Sequence, residues 1–157
     1  MKKERIVIPN SIMLGEVDNI LREGKSVVIM TKGNSMLPFI RGERDSVELR
    51  RLPGYAPGDI VLSRIGTGHY VLHRIKAIGP DGVTLKGDGN LVGTEHCAPE
   101  DICGAAECII RRNGRRVDCR KSSRVKRAER WNALPYTVRR YTLGLLRRWV
   151  ALLNKIN

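Results

Sequence analysis

Residues 33–38 read GNSMLP, and they follow a short apolar run, VVIM at residues 27–30, that predicts a β-strand. Ser35 therefore lies where a strand gives way to a turn. The glycine and asparagine before it tolerate unusual backbone angles, while the proline fixes its own φ and restricts the residue that precedes it. Such a turn holds one hydroxyl at a defined angle. The simplest interpretation is a turn serine bonded to its own backbone, and a chemical role for Ser35 requires a base from elsewhere.

Short strands and turns continue outward from this stretch. A helix is predicted over about residues 10–23, with a capping Asn or Ser at its start and a Gly at its end. The predicted strands are 25–31, 46–50, 60–64, 69–78, 83–86, 102–111 and 115–119, and the segment containing Glu95 and His96 is predicted to be a loop. This spacing favours a mostly β domain whose antiparallel sheet is coiled or barrel-like.

The charge of the chain is concentrated at one end. Residues 111–157 hold 15 Lys and Arg against two Asp and Glu, whereas residues 1–110 hold 14 of each kind. The body is therefore neutral, and the tail carries the whole excess of +13. We predict a domain over residues 1–119, a basic linker over 120–134 and a basic amphipathic helix over 135–157.

The predicted C-terminal helix carries an apolar face. Its members recur at spacings of three and four residues and are Val138, Tyr141, Leu145, Trp149, Leu152 and Ile156. One interpretation is that this face packs on the domain or on a second copy. Another is peripheral contact of residues 135–157 with an anionic membrane surface, because Trp and Tyr suit the interface and Arg suits the headgroups. Nucleic-acid binding is not favoured, because no recognised nucleic-acid-binding motif accompanies the charge.

Composition excludes several other classes of protein. No apolar run is long enough for a transmembrane helix, and the apolar residues 6–8 are too few for a secretory signal. We therefore expect a cytoplasmic protein. The four cysteines, Cys97, Cys103, Cys108 and Cys119, lack the paired spacing of a zinc site, so we expect reduced thiols, no metal and no cofactor.

His73 is the histidine best placed to serve as a base for Ser35. In the alternation of its predicted strand, it shares a face with Val71 and Ile75, so it points where apolar groups point. A histidine in that position is commonly a satisfied core residue, and it needs a polar partner. Asp88 and Glu95 follow on the next elements and are both candidates for that partner.

Four motifs occur in a fixed order along the chain. They are GNSMLP at 33–38, GDIV at 58–61, LHRI at 72–75 and KGDGN at 86–90. Together they resemble the successive motifs of the S24/S26 peptidase group, which includes type I signal peptidases and self-cleaving SOS repressors. The resemblance covers about residues 27–110. It implies that Ser35 is the nucleophile and that its own backbone N–H donates to the oxyanion, with Met36 and Pro38 helping to position the substrate.

The base position of the group separates its branches. Bacterial signal peptidases and the repressors use Lys there, whereas His73 makes this chain similar to the serine–histidine branch of endoplasmic-reticulum, archaeal and sporulation-type signal peptidases. A histidine needs less perturbation than a lysine to act near neutral pH. Those relatives have a further acid after the Gly-Asp motif, and Asp88 and Glu95 are equal candidates to orient His73.

Two departures from the group bear on the expected function. The membrane anchor of signal peptidases is replaced by a soluble-looking helix, and residues 1–34 contain neither a repressor's DNA-binding domain nor an Ala-Gly scissile bond. We expect a stand-alone serine endopeptidase that cleaves a peptide or protein through Ser35 and His73. The alternatives are a non-catalytic module of the same fold that binds an extended peptide by β-addition, and a membrane-surface or nucleic-acid adaptor that acts through the tail.

Overall fold

The computed structural model describes residues 10–156, which form a sheet and three α-helices. The strands are β1 (Val27–Met30), β2 (Ser46–Arg50), β3 (Ile60–Arg64), β4 (Tyr70–Gly79), β5 (Gly82–Lys86), β6 (Glu95–Cys97), β7 (Ile102–Ile110) and β8 (Arg116–Asp118). The helices are α1 (Asn10–Arg22), α2 (Ser122–Ala133) and α3 (Tyr136–Lys155), and a short 3-10 helix spans Pro99–Asp101. The apolar segment 6–8 and the last residue of the predicted 135–157 helix lie outside the described residues.

The eight strands form one antiparallel sheet in the order β1-β2-β7-β3-β4-β5-β6, with β8 pairing β7. A mostly β domain with an N-terminal and a C-terminal helix is therefore confirmed. Within residues 10–156, the end strands β1 and β6 do not pair with each other, so the sheet that was expected to be coiled or barrel-like is not closed. Turn spacing predicts local hairpins, but it does not determine whether the two edges of a sheet meet.

The expected basic linker over 120–134 is wrong for most of its length, because α2 occupies Ser122–Ala133. Its apolar residues Val125, Ala128 and Trp131 recur every three positions and so fall on one side of a helix. Ala128 and Trp131 are buried. The abundance of Arg and Lys obscures this pattern in the sequence.

Three groups of buried side chains form the core. The largest joins α1, through Val17 and Leu21, to the sheet, and a second lies among β3, β4, β5 and β7. The third group brings Leu37 of the loop after β1 against Trp131 of α2 and against Leu143 and Val150 of α3. The C-terminal helices therefore pack on the segment that carries Ser35. None of the helices within residues 10–156 combines the length and apolarity needed to cross a bilayer.

Asp45 fixes the far end of the loop between β1 and β2, which carries Ser35. Its carboxylate is completely buried and accepts hydrogen bonds from Arg41 Nη2 at 2.9 Å and from Arg111 Nη1 at 2.6 Å. The carbonyl oxygen of Asp45 accepts a further hydrogen bond, at 2.7 Å, from the hydroxyl of Thr31 at the start of the loop. Burial alone would raise the pKa of Asp45, but the hydrogen bonds from Arg41 and the charges of Arg111 and Arg41 outweigh it and lower that pKa.

This lowered pKa predicts a loss of stability in acid. The folded protein holds the Asp45 proton less tightly than the unfolded chain does. The stabilisation is therefore complete above the ordinary pKa of Asp, about 4, and is lost as the pH falls through the folded pKa. Between pH 7 and about pH 3, the unfolding free energy of Asp45→Asn should change less than that of the wild type, as measured by urea unfolding at each pH. The control is Asp81→Asn, at an exposed turn, and an equal pH dependence in wild type and Asp45→Asn would contradict the assignment.

Candidate active site

A cavity of about 270 Å³ is lined by both Ser35 and His73. Its walls come from α1, β1, the loop after β1, β3 and β4, and most of the lining side chains are apolar. Ser35 is half-buried and His73 is buried. The structure thus brings the two residues that sequence analysis selected into one cavity, although they lie on different elements.

The loop around Ser35 is anchored by the apolar residues that follow it. Met36 and Leu37 are almost completely buried, and the backbone N–H groups of Leu37 and Ile40 donate to the carbonyls of Asn34 and Met36. The peptide bond between Leu37 and Pro38 is cis. This loop folds into compact turns because the apolar side chains that follow Ser35 are buried in the core. Ser35 itself lies at the cavity wall.

Within residues 10–156, the backbone N–H groups of Ser35 and Met36 are among those of this loop that donate to no protein acceptor. Oxyanion sites need unpaired N–H donors of this kind. Pro38 has no N–H and lies elsewhere, because it lines two surface depressions beside α2 and α3 rather than this cavity. Any effect of Pro38 on substrate position is therefore indirect.

His73 has a carboxylate partner, and that partner is Glu95. The distance from His73 Nδ1 to Glu95 Oε2 is 2.8 Å. The Glu95 side chain is 30% exposed, and that of His73 only 7%. Glu95 belongs to β6, a strand that the sequence did not predict, and β6 pairs with β5 next to β4. The carboxylate that contacts the imidazole of His73 therefore comes from the edge strand of the sheet.

Asp88 has a different partner, because it pairs with Arg74 next to His73. Arg74 donates from Nε to Asp88 Oδ1 at 2.9 Å and from Nη2 to Asp88 Oδ2 at 2.7 Å. The same guanidinium donates to the Gly58 carbonyl at 2.7 Å. Asp88 is only 1% exposed. Of the two acids that sequence analysis ranked equally, Glu95 contacts His73, whereas Asp88 ties the motifs together through Arg74.

The segment 87–90 packs directly on the serine loop. The Gly89 N–H donates to the Ser35 carbonyl at 2.8 Å. A Cβ atom on Gly89 would collide with the Asn34 carbonyl oxygen, and one on Gly87 would collide with that of Ser35. These glycines are needed because two backbones approach each other closely. The motifs at 33–38, 58–61, 72–75 and 86–90 are therefore in physical contact.

The C-terminal helices hold segment 87–90 in place, a role that sequence analysis missed. Trp131 Nε1 donates to the Asp88 carbonyl at 2.8 Å, and Arg147 Nη2 donates to the Gly89 carbonyl at 3.0 Å. Arg139, which is 4% exposed, donates to the Asn90 carbonyl at 3.1 Å. The sequence does indicate a helix here, because Trp131 follows Ala128 at helical spacing. Nothing in the sequence indicates which carbonyls these side chains reach.

The other two histidines and the buried cysteines Cys103 and Cys119 do not line this cavity, whereas Lys32 and Tyr70 do. His69 and His96 are exposed, and burial raises the pKa of both Cys103 and Cys119 to about 12. Thiols with such pKa values are poor nucleophiles and poor metal ligands near neutral pH. Residues 10–156 contain no group of three or more His, Cys, Asp or Glu side chains placed to hold a metal ion.

No protein-family model matches the chain, and no curated protein is significantly similar to it.

Proposed function

We propose that this protein is a serine peptidase with an S24/S26-like fold, in which Ser35 is the nucleophile, His73 the general base and Glu95 the residue that orients His73. One observation carries the proposal. Ser35 and His73 line the same cavity, and Nδ1 of the imidazole lies 2.8 Å from Glu95 Oε2. A neutral His73 that donates its Nδ1 proton to Glu95 leaves Nε2 as the acceptor for a hydroxyl proton.

The proposed reaction runs through an ester on Ser35. Its Oγ attacks the carbonyl carbon of the substrate while the hydroxyl proton moves to His73, and the oxyanion accepts hydrogen bonds from the N–H groups of Ser35 and Met36. Collapse of the tetrahedral intermediate breaks the C–N bond, and His73 gives the proton to the leaving amine. Water then adds to the ester, giving its proton to His73, and the second collapse returns that proton to Ser35 and releases the acid.

The cavity favours an extended substrate segment with an apolar side chain. Met13, Leu14 and Leu72 lie among its lining residues, and β1 borders it. Within the described residues β1 pairs on one side only, and its Val28 and Met30 side chains are each more than half exposed. A free strand edge accepts an extended peptide through backbone hydrogen bonds.

The test is cleavage of a mixed peptide library derived from a whole proteome. Mass spectrometry of the products should reveal new termini that accumulate with the wild type, are absent with Ser35→Ala and follow a common apolar position. If the wild type and Ser35→Ala give the same termini, the peptidase assignment is wrong.

A peptide-binding module of the same fold is the second candidate, and the observation that favours it is the edge of β1 that pairs with no strand within residues 10–156. In that case the library would be bound but not cleaved, and Ser35→Ala would bind as well as the wild type. Retention of library peptides on immobilised protein measures this directly. Turnover of library peptides by the wild type would favour the peptidase over the non-catalytic binding module.

Glu95→Gln is expected to lower kcat by between about 10-fold and 10⁴-fold, the upper figure being the loss when a serine-peptidase aspartate becomes an amide. The amide keeps the shape of Glu95 but does not favour the Nδ1-protonated form of His73. The measurement is kcat on the best library peptide, together with thermal unfolding, which should change little because Glu95 is partly exposed. The control is Glu100→Gln on the exposed 3-10 helix. A kcat equal to that of the wild type would exclude Glu95 as the positioning residue.

A further inference from the structure

Helix α3 packs on the protein with one face and leaves a second apolar face bare. The packed face contains Leu143, Leu146 and Val150, together with the buried Arg139. The stripe predicted from the sequence is exposed, with Tyr141, Leu145 and Ile156 all more than two-thirds accessible. We call this surface the α3 stripe, and it consists of Val138, Tyr141, Leu145, Trp149, Leu152 and Ile156. The expectation that this face packs on the domain is therefore wrong, because α3 carries two apolar faces and the core uses the other one.

A strongly basic depression adjoins the α3 stripe at Trp149. It has a volume of about 780 Å³, and its lining includes five arginines, Arg41, Arg44, Arg111, Arg112 and Arg115, and no acidic residue. Arg41 and Arg111 share the buried Asp45, and Arg44 donates to a backbone carbonyl of α3. In the part of the chain that the structure describes, the side chains of Arg112 and Arg115 make no hydrogen bond or ion pair. Four positive charges therefore remain unbalanced beside an exposed tryptophan.

The basic surface extends along α2. A second depression of about 330 Å³ shares Pro38 and Arg111 with the first and adds Arg124, Arg127 and Arg130. These three arginines follow one another at three-residue spacing on α2 and so face the same way. On α3, Arg148 and Lys155 follow Leu145 and Leu152 by three positions and border the α3 stripe. The α3 stripe thus meets an arginine-rich surface at Trp149 and is bordered by further cations on α3 itself.

We propose that this surface docks the protein on an anionic lipid bilayer, with α3 lying in the plane of the interface. The α3 stripe enters the boundary between headgroups and acyl chains, with Trp149 and Tyr141 at the interface, and the arginines contact lipid phosphates. The combination of exposed apolar side chains and surrounding arginines favours an anionic bilayer as the partner. The apolar side chains of the α3 stripe, which are 46–75% exposed, gain by leaving water, while the cations around them favour an anionic surface.

Charge argues against the other occupants of the stripe. Helix α3 carries five Lys and Arg and no Asp or Glu, so a second copy packed stripe to stripe would bring like charges together. A nucleic acid would contact the arginines through its phosphates, but it would leave the α3 stripe in water. The bilayer is the partner that satisfies both parts of the surface.

The test is co-sedimentation of the full-length protein with vesicles of phosphatidylcholine alone and of phosphatidylcholine mixed with phosphatidylserine. Binding should be at least about tenfold tighter to the anionic vesicles and should weaken with salt. Leu145→Glu should weaken it at least tenfold, because a charge then enters the apolar layer. Arg112→Gln with Arg115→Gln should weaken it about 30-fold, since each basic residue near such a surface strengthens binding about fivefold.

Matched controls separate docking from general effects of charge and folding. Val92→Glu changes an apolar residue that is 77% exposed outside this surface, and Lys25→Gln with Lys76→Gln removes two exposed charges elsewhere, so neither should alter binding. Equal binding to both kinds of vesicle, or unchanged binding by Leu145→Glu, would overturn the proposal. So would a dimer in solution that Leu145→Glu dissociates, or tighter binding to duplex DNA than to anionic vesicles.

Discussion

Replacing Ser35 with Ala should lower kcat for peptide hydrolysis about 10⁶-fold, and replacing His73 with Ala should lower it by a similar factor. Nucleophile and base act in the same step, so removal of either one leaves only binding and oxyanion stabilisation. The double variant should therefore be no slower than the single variants. Turnover of the best library peptide measures all three.

The controls for this prediction are residues of the same type outside the cavity. Ser123→Ala changes an exposed serine of α2, and His69→Ala changes an exposed histidine just before β4. Both should keep the kcat of the wild type. The assignment of Ser35 and His73 fails if either Ala variant retains that kcat, or if their losses multiply as those of independent residues do.

Asp88→Ala should cost about 3–5 kcal/mol of unfolding free energy, the usual result of removing one partner of a buried ion pair. The change leaves Arg74, whose side chain is 11% exposed, without its carboxylate, and it also removes an acceptor of Asn132. Urea unfolding measures the effect. Because Asp88 joins segment 87–90 to β4, the serine loop that rests on this segment should also become less protected from hydrogen exchange.

A double variant separates the ion pair from the rest of the Asp88 environment. Arg74→Met with Asp88→Leu removes both charges. This double variant should therefore lose less unfolding free energy than Arg74→Met and Asp88→Leu lose separately when their losses are added. Asp81→Ala at the exposed turn is the matched control and should be close to neutral. A cost below about 1 kcal/mol for Asp88→Ala would contradict the role given to this pair.

Much of the sheet follows from local patterns in the sequence. The predicted strands 46–50 and 60–64 coincide with β2 and β3, and the predicted helix over about 10–23 coincides with α1 to within a residue. Alternating apolar residues between strong turn signals explain this success. Strand β6 was missed because Glu95–Cys97 is a three-residue edge strand without an apolar pattern, and it forms by pairing with β5.

The site was predictable as a set of motifs but not as a set of contacts. The order of the four motifs along the chain identified Ser35 and His73 as candidates. The alternation of side chains along the predicted strand correctly placed His73 on a buried face. The choice between Asp88 and Glu95 could not be made, because it depends on which strand lies beside β5 and on where Arg74 points. The same holds for Trp131, Arg139 and Arg147, whose contacts with segment 87–90 join residues more than 40 positions apart.

The most direct test of the proposed Ser35–His73 site is covalent labelling by a serine-directed fluorophosphonate, with the modified residue located by peptide mass spectrometry. Such probes react with a serine whose hydroxyl is activated by a neighbouring base. We expect modification of Ser35 in the wild type, much slower modification in His73→Ala and no change in the rate with His69→Ala. A wild-type protein that leaves Ser35 unmodified, or one whose labelling is as fast without His73, would contradict it.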